Sequence, residues 1–513
     1  MAIVERKWLT LIVVCVAVFM LLLDITIVNV ALPDIGRSLH ADFSDIQWVI
    51  DAYSLMLAAF LLTAGSLGDL LGRRTVFVVG LAVFSLASLG CGLSDSSTLL
   101  NVMRGVQGIG GAIMFAQSLA LIAEAFQGRE RGTAFGIWGA TVGASVAVGP
   151  LLGGVITESW GWEWVFFVNV PVGVVAILLA LAYIAEGRDP NAPGIDWPGL
   201  VTFSGGLFLL VFALIRGNPE GWGSALIVGL LVGAVVLLVA FFVIESRVSN
   251  PMLDLSLFRV PTFAGASIAA FGLSASMFAM FLYLTLYIQN GLHYSPLEAG
   301  LRFLPITLMS FFVAPIAGRL SSTVPVRALM GVGLVLVSAG LLLMHGLTVN
   351  SDWTALLAGF LVAGAGVGLV NPPLASTAVG VVPPQKSGMA SGINTTFRQV
   401  GIATGIAGLG AVYQSVVEGK VRDGFAALVD GRASALAHQV ATGETAQALG
   451  QVPGRSRGAA AAIVSSSFID ALNTLLLIGS ITAFVAAVLT FWLVRTRDFV
   501  TAPSGEAAPA TAH

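Results

Sequence analysis

The amino-acid sequence predicts an all-α membrane protein with fourteen transmembrane helices, and three observations lead there. Of 513 residues, 57% are hydrophobic and only 10% are charged. A soluble globular chain carries about 25% charged residues, so this one has too little charge to cover a water-facing surface. The apolar residues fall in stretches of about 20, the length a helix needs to cross the hydrocarbon core. Sixty glycines follow no Gly-X-Y period, which excludes collagen. They suit membrane helices, which approach closely through small residues because lipid gives no hydrophobic drive for association.

The fourteen stretches begin near Leu9, Gln47, Thr75, Thr98, Thr133, Trp164, Trp197, Gly223, Phe263, Leu297, Val326, Trp353, Ala390 and Phe468. The first follows Arg6 and Lys7, as a signal peptide would. It is too long for one, carries Asp24, and ends without a small-residue cleavage site. The second carries Asp51 and ends in the turn Gly65 to Arg74. The fourth carries Arg104 near its start and Glu124, read as interfacial, near its end. The fifth contains Gly149 and Pro150, where a missing backbone donor invites a kink. Gly153 and Gly154 follow, and these glycines would seat a neighbouring helix or serve ordinary small-residue packing. The ninth carries Phe271, Phe278, Phe281, Tyr283 and Tyr287. The thirteenth carries Arg398 in its first half. The segment 416–466 is the one sizeable piece outside the membrane; Ala433 to Leu449 has helical composition and Gly450 to Gly454 breaks it. Residues 499–513 are rich in Ala and Pro and read as disordered.

Orientation follows from basic residues, which favour the cytoplasmic side of short loops. With the N-terminus inside, inner segments hold fourteen Lys and Arg and the short outer loops hold only Arg37 and Arg216. Both termini are therefore expected in the cytoplasm and 416–466 outside. Arginine outnumbers lysine 21 to 3, as in GC-rich bacterial genomes.

A repeat is visible. Gly65, Leu67 and Arg74 recur with the same spacing as Gly318, Leu320 and Arg327; the second copy lacks Asp69 and has Pro325 in place of Gly72. Paired hydrophobic halves are the sequence sign of a repeat-built transporter with its site between the halves.

These patterns resemble those of the major facilitator superfamily, and within it the fourteen-helix multidrug:proton antiporters. Gly65, Leu67, Asp69, Gly72, Arg73 and Arg74 are similar to the superfamily's cytoplasmic loop signature, and Arg104, Gln107 and Gly108 to its second signature. Gly149, Pro150, Gly153 and Gly154 resemble the antiporter signature, with Ser145 where a glycine is usual. Leu23 to Pro33 and Asn250 to Arg259 are typical of the fourteen-helix group. The resemblance implies a major facilitator fold: two six-helix bundles, 1–185 and 262–498, joined by a two-helix linker, 186–261. It also implies alternating access, with Asp69 latching one half to a helix start near Ser387 to Ser391. The residue-level alternative is a basic loop obeying the positive-inside bias.

Charges inside a membrane cost at least a few kcal/mol and face a cavity or a partner. Asp24, Asp51 and Arg104 lie within about one turn of each other in depth, at about 1.5 Å per residue, and form one cluster if their helices adjoin. Asp24 is the expected exchangeable carboxyl and Asp51 a counter-charge for cations; Asp51 also reads as interfacial. Arg398 is a structural or second-half coupling residue. The aromatic residues of the ninth helix suit flat cations, although residues of this kind more often face lipid or core. The expected function is proton-coupled efflux of hydrophobic, often cationic compounds from a bacterial cytoplasmic membrane, with no cofactor. The alternative is dedicated export of one metabolite, lipid or antibiotic. Uptake fits the fifth-helix pattern less well, and a channel or sensor would show no saturable, gradient-dependent flux. No P-loop, metal-ligand spacing, soluble-enzyme constellation or nucleic-acid signal is present. Cys15 and Cys91 fall in apolar helices as packing residues.

Overall fold

The computed structural model describes residues 2–126, 128–188, 194–321, 323–382, 387–429 and 431–499. Among them there is no strand. The long helices are α1 (Ala2–Ser38), α2 (Phe43–Leu71), α3 (Arg73–Gly92), α4 (Ser97–Ala125), α5 (Gly128–Trp160), α6 (Trp164–Tyr183), α7 (Trp197–Glu220), α8 (Ala225–Glu245), α9 (Pro261–Gly291), α10 (Pro296–Leu320), α11 (Val326–Leu343), α12 (Thr354–Gly380), α13 (Ser387–Phe425) and α14 (Arg457–Leu493). Thirteen are long and apolar enough to cross a membrane; α5, with 33 residues, spans about 50 Å and fills the fifth place. Two six-helix bundles result, α1–α6 and α9–α14. The extra pair α7 and α8 packs together, and α7 rests on α2 and α13.

Local sequence starts these helices. Asp42, Ser96, Asp196 and Ser224 each accept a bond from the backbone N–H three residues on, satisfying donors that a helix start leaves free. Ser295 and Glu298 form a capping box at α10. Gly72, between α2 and α3, has φ +108°, a conformation glycine adopts without strain. At the matching place before α11, Pro325 has φ −54°, already set for a helix start. The second copy of the turn therefore needs no left-handed residue.

One face of the bundle gathers the basic loops. Arg6 donates to the Tyr183 carbonyl, Lys7 pairs with Glu130, Arg73 with Glu124 and Arg74 with Glu186. Thr262 at the start of α9 donates to Asp498 beyond α14. On the opposite face Asn101 and Ser97 bond Asp45, and Asn473 holds the turn at Gly346 and Leu347.

α13 and α14 are longer than a bilayer requires. At 39 and 37 residues they run about 58 and 55 Å. Their ends project on the opposite face and enclose the short helices Ala433–Thr442 and Thr445–Gly450. Val417, Val421 and Phe425 pack there with Leu436, Val440 and Val464. The expected loop 416–466 is thus helical at both ends, and only 426–456 connects. Glu418, Lys420, Arg422 and Asp423 lower the hydropathy of the α13 extension, while its apolar residues keep the i, i+4, i+8 spacing of a helix face. The tail 500–513 lies outside the described residues.

Candidate functional site

Inside the first bundle Asp24 and Arg104 form an ion pair at 2.5 Å, each about 1% exposed. The carboxylate also accepts from Gln107 Nε2 and Asn169 Nδ2, both at 3.0 Å. Arg104 donates to Gln107 Oε1 at 2.7 Å and to the Val49 carbonyl at 2.8 Å, and lies 4.3 Å from the Tyr53 ring centre. The Gln107 amide thus turns its oxygen to the cation and its nitrogen to the anion. Ser88 Oγ receives Gln107 and Asn169 and donates to the Phe166 carbonyl. A buried pair holds only when further hydrogen bonds satisfy its remaining groups, and here α2, α4 and α6 supply them, with Ser88 of α3 behind.

Asp51 stands apart from that network. It is fully buried, and among the described residues neither carboxylate oxygen has a hydrogen-bond partner. The three charges expected in one cluster therefore separate into a satisfied pair and a lone carboxyl. Asp51 follows Ile50, which lines a cavity between the bundles. That cavity is walled by Thr26, Asn29 and Pro150 from the first bundle and by Phe278, Phe281, Phe303, Ile402 and Ile406 from the second. One turn before Asp51, Gln47 donates to the Ile406 carbonyl at 3.0 Å, and Tyr283 donates to the same carbonyl at 2.6 Å. Phe43, Tyr283, Tyr413 and Phe468 stack beyond them, closing the cavity toward the face opposite the basic loops.

The α5 glycines form the other half of this closure. A Cβ at Gly153 would stand 2.7 Å from the Ile27 carbonyl of α1, and one at Gly154 2.6 Å from the Pro296 carbonyl of α10. Gly149 lies against Thr26 in the same way, and Gly300 of α10 against the Pro150 carbonyl. Glu158 at the end of α5 accepts from Ser295 Oγ at 2.5 Å and Leu297 N at 3.0 Å. The seam therefore joins the two bundles by backbone approach and by one carboxylate at a helix start, where a negative charge is favoured.

Of the loop signature, Gly72 is required: besides its φ, a Cβ would meet Glu186 Oε1 at 2.6 Å. Glu186 accepts from Arg74 N and Thr75 N, capping α3. Among the described residues a Cβ at Gly65 meets nothing within 4 Å, so no close neighbour requires a glycine there. The residue that needs to be small is Gly68, against Gln117. Arg73 and Arg74 hold this turn to α4 and α6 of their own bundle. The Asp69 side chain and residues 383–386 lie outside the described residues.

The five aromatic residues of α9 do not share one face. π-turns at Ser274–Phe278 and Tyr287–Gly291 shift the register where they occur. Phe278 and Phe281 reach the cavity, Tyr283 joins the closure, Phe271 lies beside Gly401, and the buried Tyr287 hydroxyl has no partner among the described residues. Arg398, partly accessible, donates to Asn371 Oδ1 of α12. Sequence reasoning missed Ser88, Asn169, Gln47, Glu158 and Asn371. Each is an isolated polar residue in an apolar helix or at its end, and only helix placement reveals its partner.

The chain was compared with known proteins. A family pattern described as Major Facilitator Superfamily matches residues 14–406. The tetracenomycin C resistance and export protein of Streptomyces glaucescens is 35% identical over 512 residues, covering 99% of this chain and 95% of that protein. The multidrug resistance protein Stp of Mycobacterium tuberculosis (strain CDC 1551 / Oshkosh) is 37% identical over 409 residues, covering 80% of this chain and 76% of that one. In fold the chain is similar to a bacterial homologue of the human lysosomal transporter Spinster, crystallised inward-facing and unoccupied. The TM-score is 0.61 at 18% identity, covering 97% of this chain and 99% of that one. A multi-span helical bundle with a cavity between its halves, matched over most of its length by one family's pattern, is a membrane transporter, and this chain belongs to the Major Facilitator Superfamily.

Proposed function

We propose that the protein exports hydrophobic, often cationic compounds across a bacterial cytoplasmic membrane in exchange for protons, as a fourteen-helix multidrug:proton antiporter with both termini in the cytoplasm. The observation that carries this reading is Asp51: a buried carboxyl, one residue from the cavity wall, with no partner for either oxygen among the described residues. Such a group is tolerable as the neutral acid and costly as a bare anion. A proton or an organic cation can relieve that cost, so the two compete for one site and each leaves as the other arrives. The Asp24–Arg104 pair already satisfies itself and serves as a fixed frame. The geometry thus favours Asp51 over Asp24 as the exchanging group, whereas the sequence points to Asp24 for exchange and to Asp51 as the counter-charge. The α5–α10 seam and the Gln47–Tyr283–Ile406 closure supply the gate on the outer side, so the arrangement described is closed outward.

A second reading, dedicated export of one metabolite or antibiotic, is favoured by the full-length similarity to the tetracenomycin C export protein. Inverted vesicles with an imposed pH gradient and a panel of labelled compounds test both. Several unrelated compounds should accumulate, and a protonophore should abolish accumulation. Accumulation of a single compound selects the second reading, and accumulation indifferent to the protonophore rejects proton coupling.

A further inference from the structure

The second bundle holds a charge that the proposed exchange does not use. Arg398 lies in the first half of α13, inside the stretch Met389–Phe425 that crosses the membrane. Its guanidinium donates to Asn371, a neutral partner, and among the described residues it makes no ion pair. Arg104, the intramembrane arginine of the first bundle, is neutralised by Asp24. An arginine at the centre of a membrane helix costs about 2.5–3.5 kcal/mol even on the most lenient scale, and an amide oxygen answers only part of its positive charge.

Helical register places this charge one turn below the cavity, on the face of α13 that lines it. Arg398, Ile402 and Ile406 follow at i, i+4 and i+8 and so lie on one face of α13, and Ile402 and Ile406 line the cavity. The side chain of a helical residue leans toward the helix start, here the basic-loop side. Arg398 therefore stands about 6 Å below Ile402, one helical turn, and it keeps partial accessibility. Above it the cavity wall is aromatic. Phe278 and Phe281 have ring centres 6.2 Å apart, and Phe281 and Phe303 5.3 Å apart. A guanidinium presents a planar fork of donors that matches a carboxylate in two parallel bonds, and Asn371, bonded to one nitrogen, fixes the plane of that fork.

We propose that Arg398, oriented by Asn371, is a subsite for a carboxylate carried by the exported compound, whose flat apolar body lies about one helical turn away against Phe278, Phe281 and Phe303. The inference rests on the reading of this cavity as the export site. It extends the substrate class from cations, which Asp51 would take, to aromatic acids. The proposed site is thus bipolar, with an acceptor beside the cavity on the first bundle and a donor one turn below it on the second.

The probes are three anthracenes of one shape: 9-anthracenecarboxylate, its methyl ester and 9-(aminomethyl)anthracene. Binding to the purified full-length protein in detergent is read by anthracene fluorescence anisotropy, with detergent blanks subtracted. The wild type should bind the acid at least tenfold more tightly than the ester. Arg398→Gln should erase that preference while leaving the ester and the amine unchanged, and Arg398→Lys should restore part of it. A wild type that binds the acid no more tightly than the ester, including one that binds neither, overturns the proposal. So does an Arg398→Gln protein that keeps the preference, or one that loses all three probes alike, which marks Arg398 as a strut between α12 and α13. If Arg398→Gln does not elute as a monodisperse peak, Arg398→Lys and Asn371→Ala decide alone: either must lower the acid preference without changing ester binding. No gradient enters this assay, so its failure is separate from a failure of proton coupling, which the vesicle experiment reads.

Discussion

Replacing Arg104 by leucine removes three hydrogen bonds, to Asp24, Gln107 and the Val49 carbonyl, together with the contact on the Tyr53 ring. It leaves Asp24 buried as an anion. Removing one partner of a buried ion pair costs about 3–5 kcal/mol. Here Gln107 and Asn169 still donate to the carboxylate, so the lower end, about 3 kcal/mol, is expected. At about 2 °C per kcal/mol for a large domain, the thermal midpoint should fall by roughly 6 °C. Asp24→Asn should cost less, because the amide keeps partners in the same pocket. The double variant should cost less than the sum, with a coupling of about 2 kcal/mol, within the range for residues that share a network. The assay is the fraction of full-length protein that stays monodisperse in detergent after stepwise heating, for the wild type, both single variants and the double. An Arg104→Leu midpoint equal to the wild type, or costs that simply add, would refute the pair as the frame of the first bundle.

Three further outcomes are expected. Gly154→Val sets a branched side chain against the backbone of Pro296 and Leu297; α5 and α10 must part, at about 1–3 kcal/mol, and vesicle transport should fall with a measurable loss of thermal midpoint. Glu158→Gln weakens a charge-assisted bond between the bundles, so a cysteine placed at Asn29 on the cavity wall should react faster with an impermeant reagent from outside, and an unchanged rate would remove Glu158 from the gate. Ala446→Cys, on the exposed side of a short cap helix, should react from outside only, against a low background because Cys15 and Cys91 are buried; reaction from the cytoplasmic side alone would reverse the proposed orientation.

Most of the architecture was legible in the sequence because a bilayer imposes one length on every helix. The starts near Gln47, Trp197, Val326 and Trp353 each lie within a few residues of the observed helix starts. The long extension of α13 was not, since charged residues on its wet side mask a strip of valines on the other. The intramembrane charges were found by type, but their grouping was not. Depth along a helix can be counted from sequence, whereas the direction a side chain faces depends on helix rotation. That rotation turns Asp24 into the first bundle and leaves Asp51 with Gln47 on the side facing α9 and α13. The α9 aromatics divide between cavity and packing for a related reason, because two π-turns break the period on which a shared face depends. The glycine signature divided similarly: Gly72 is explained by its φ, Gly153 and Gly154 by backbone neighbours, and Gly65 by nothing in its surroundings.

The central claim, that Asp51 exchanges a proton for the exported compound, is tested most directly by gradient-driven accumulation in inverted vesicles carrying wild-type protein or Asp51→Asn. Asparagine has nearly the same shape and cannot titrate. Each proton moved down one pH unit releases about 1.4 kcal/mol, the value of a tenfold concentration ratio, which the variant can no longer collect through this group. The account predicts that Asp51→Asn loses accumulation driven by the pH gradient while downhill flux of a neutral compound persists at wild-type expression. Accumulation at the wild-type level by Asp51→Asn in response to the same pH gradient would contradict it.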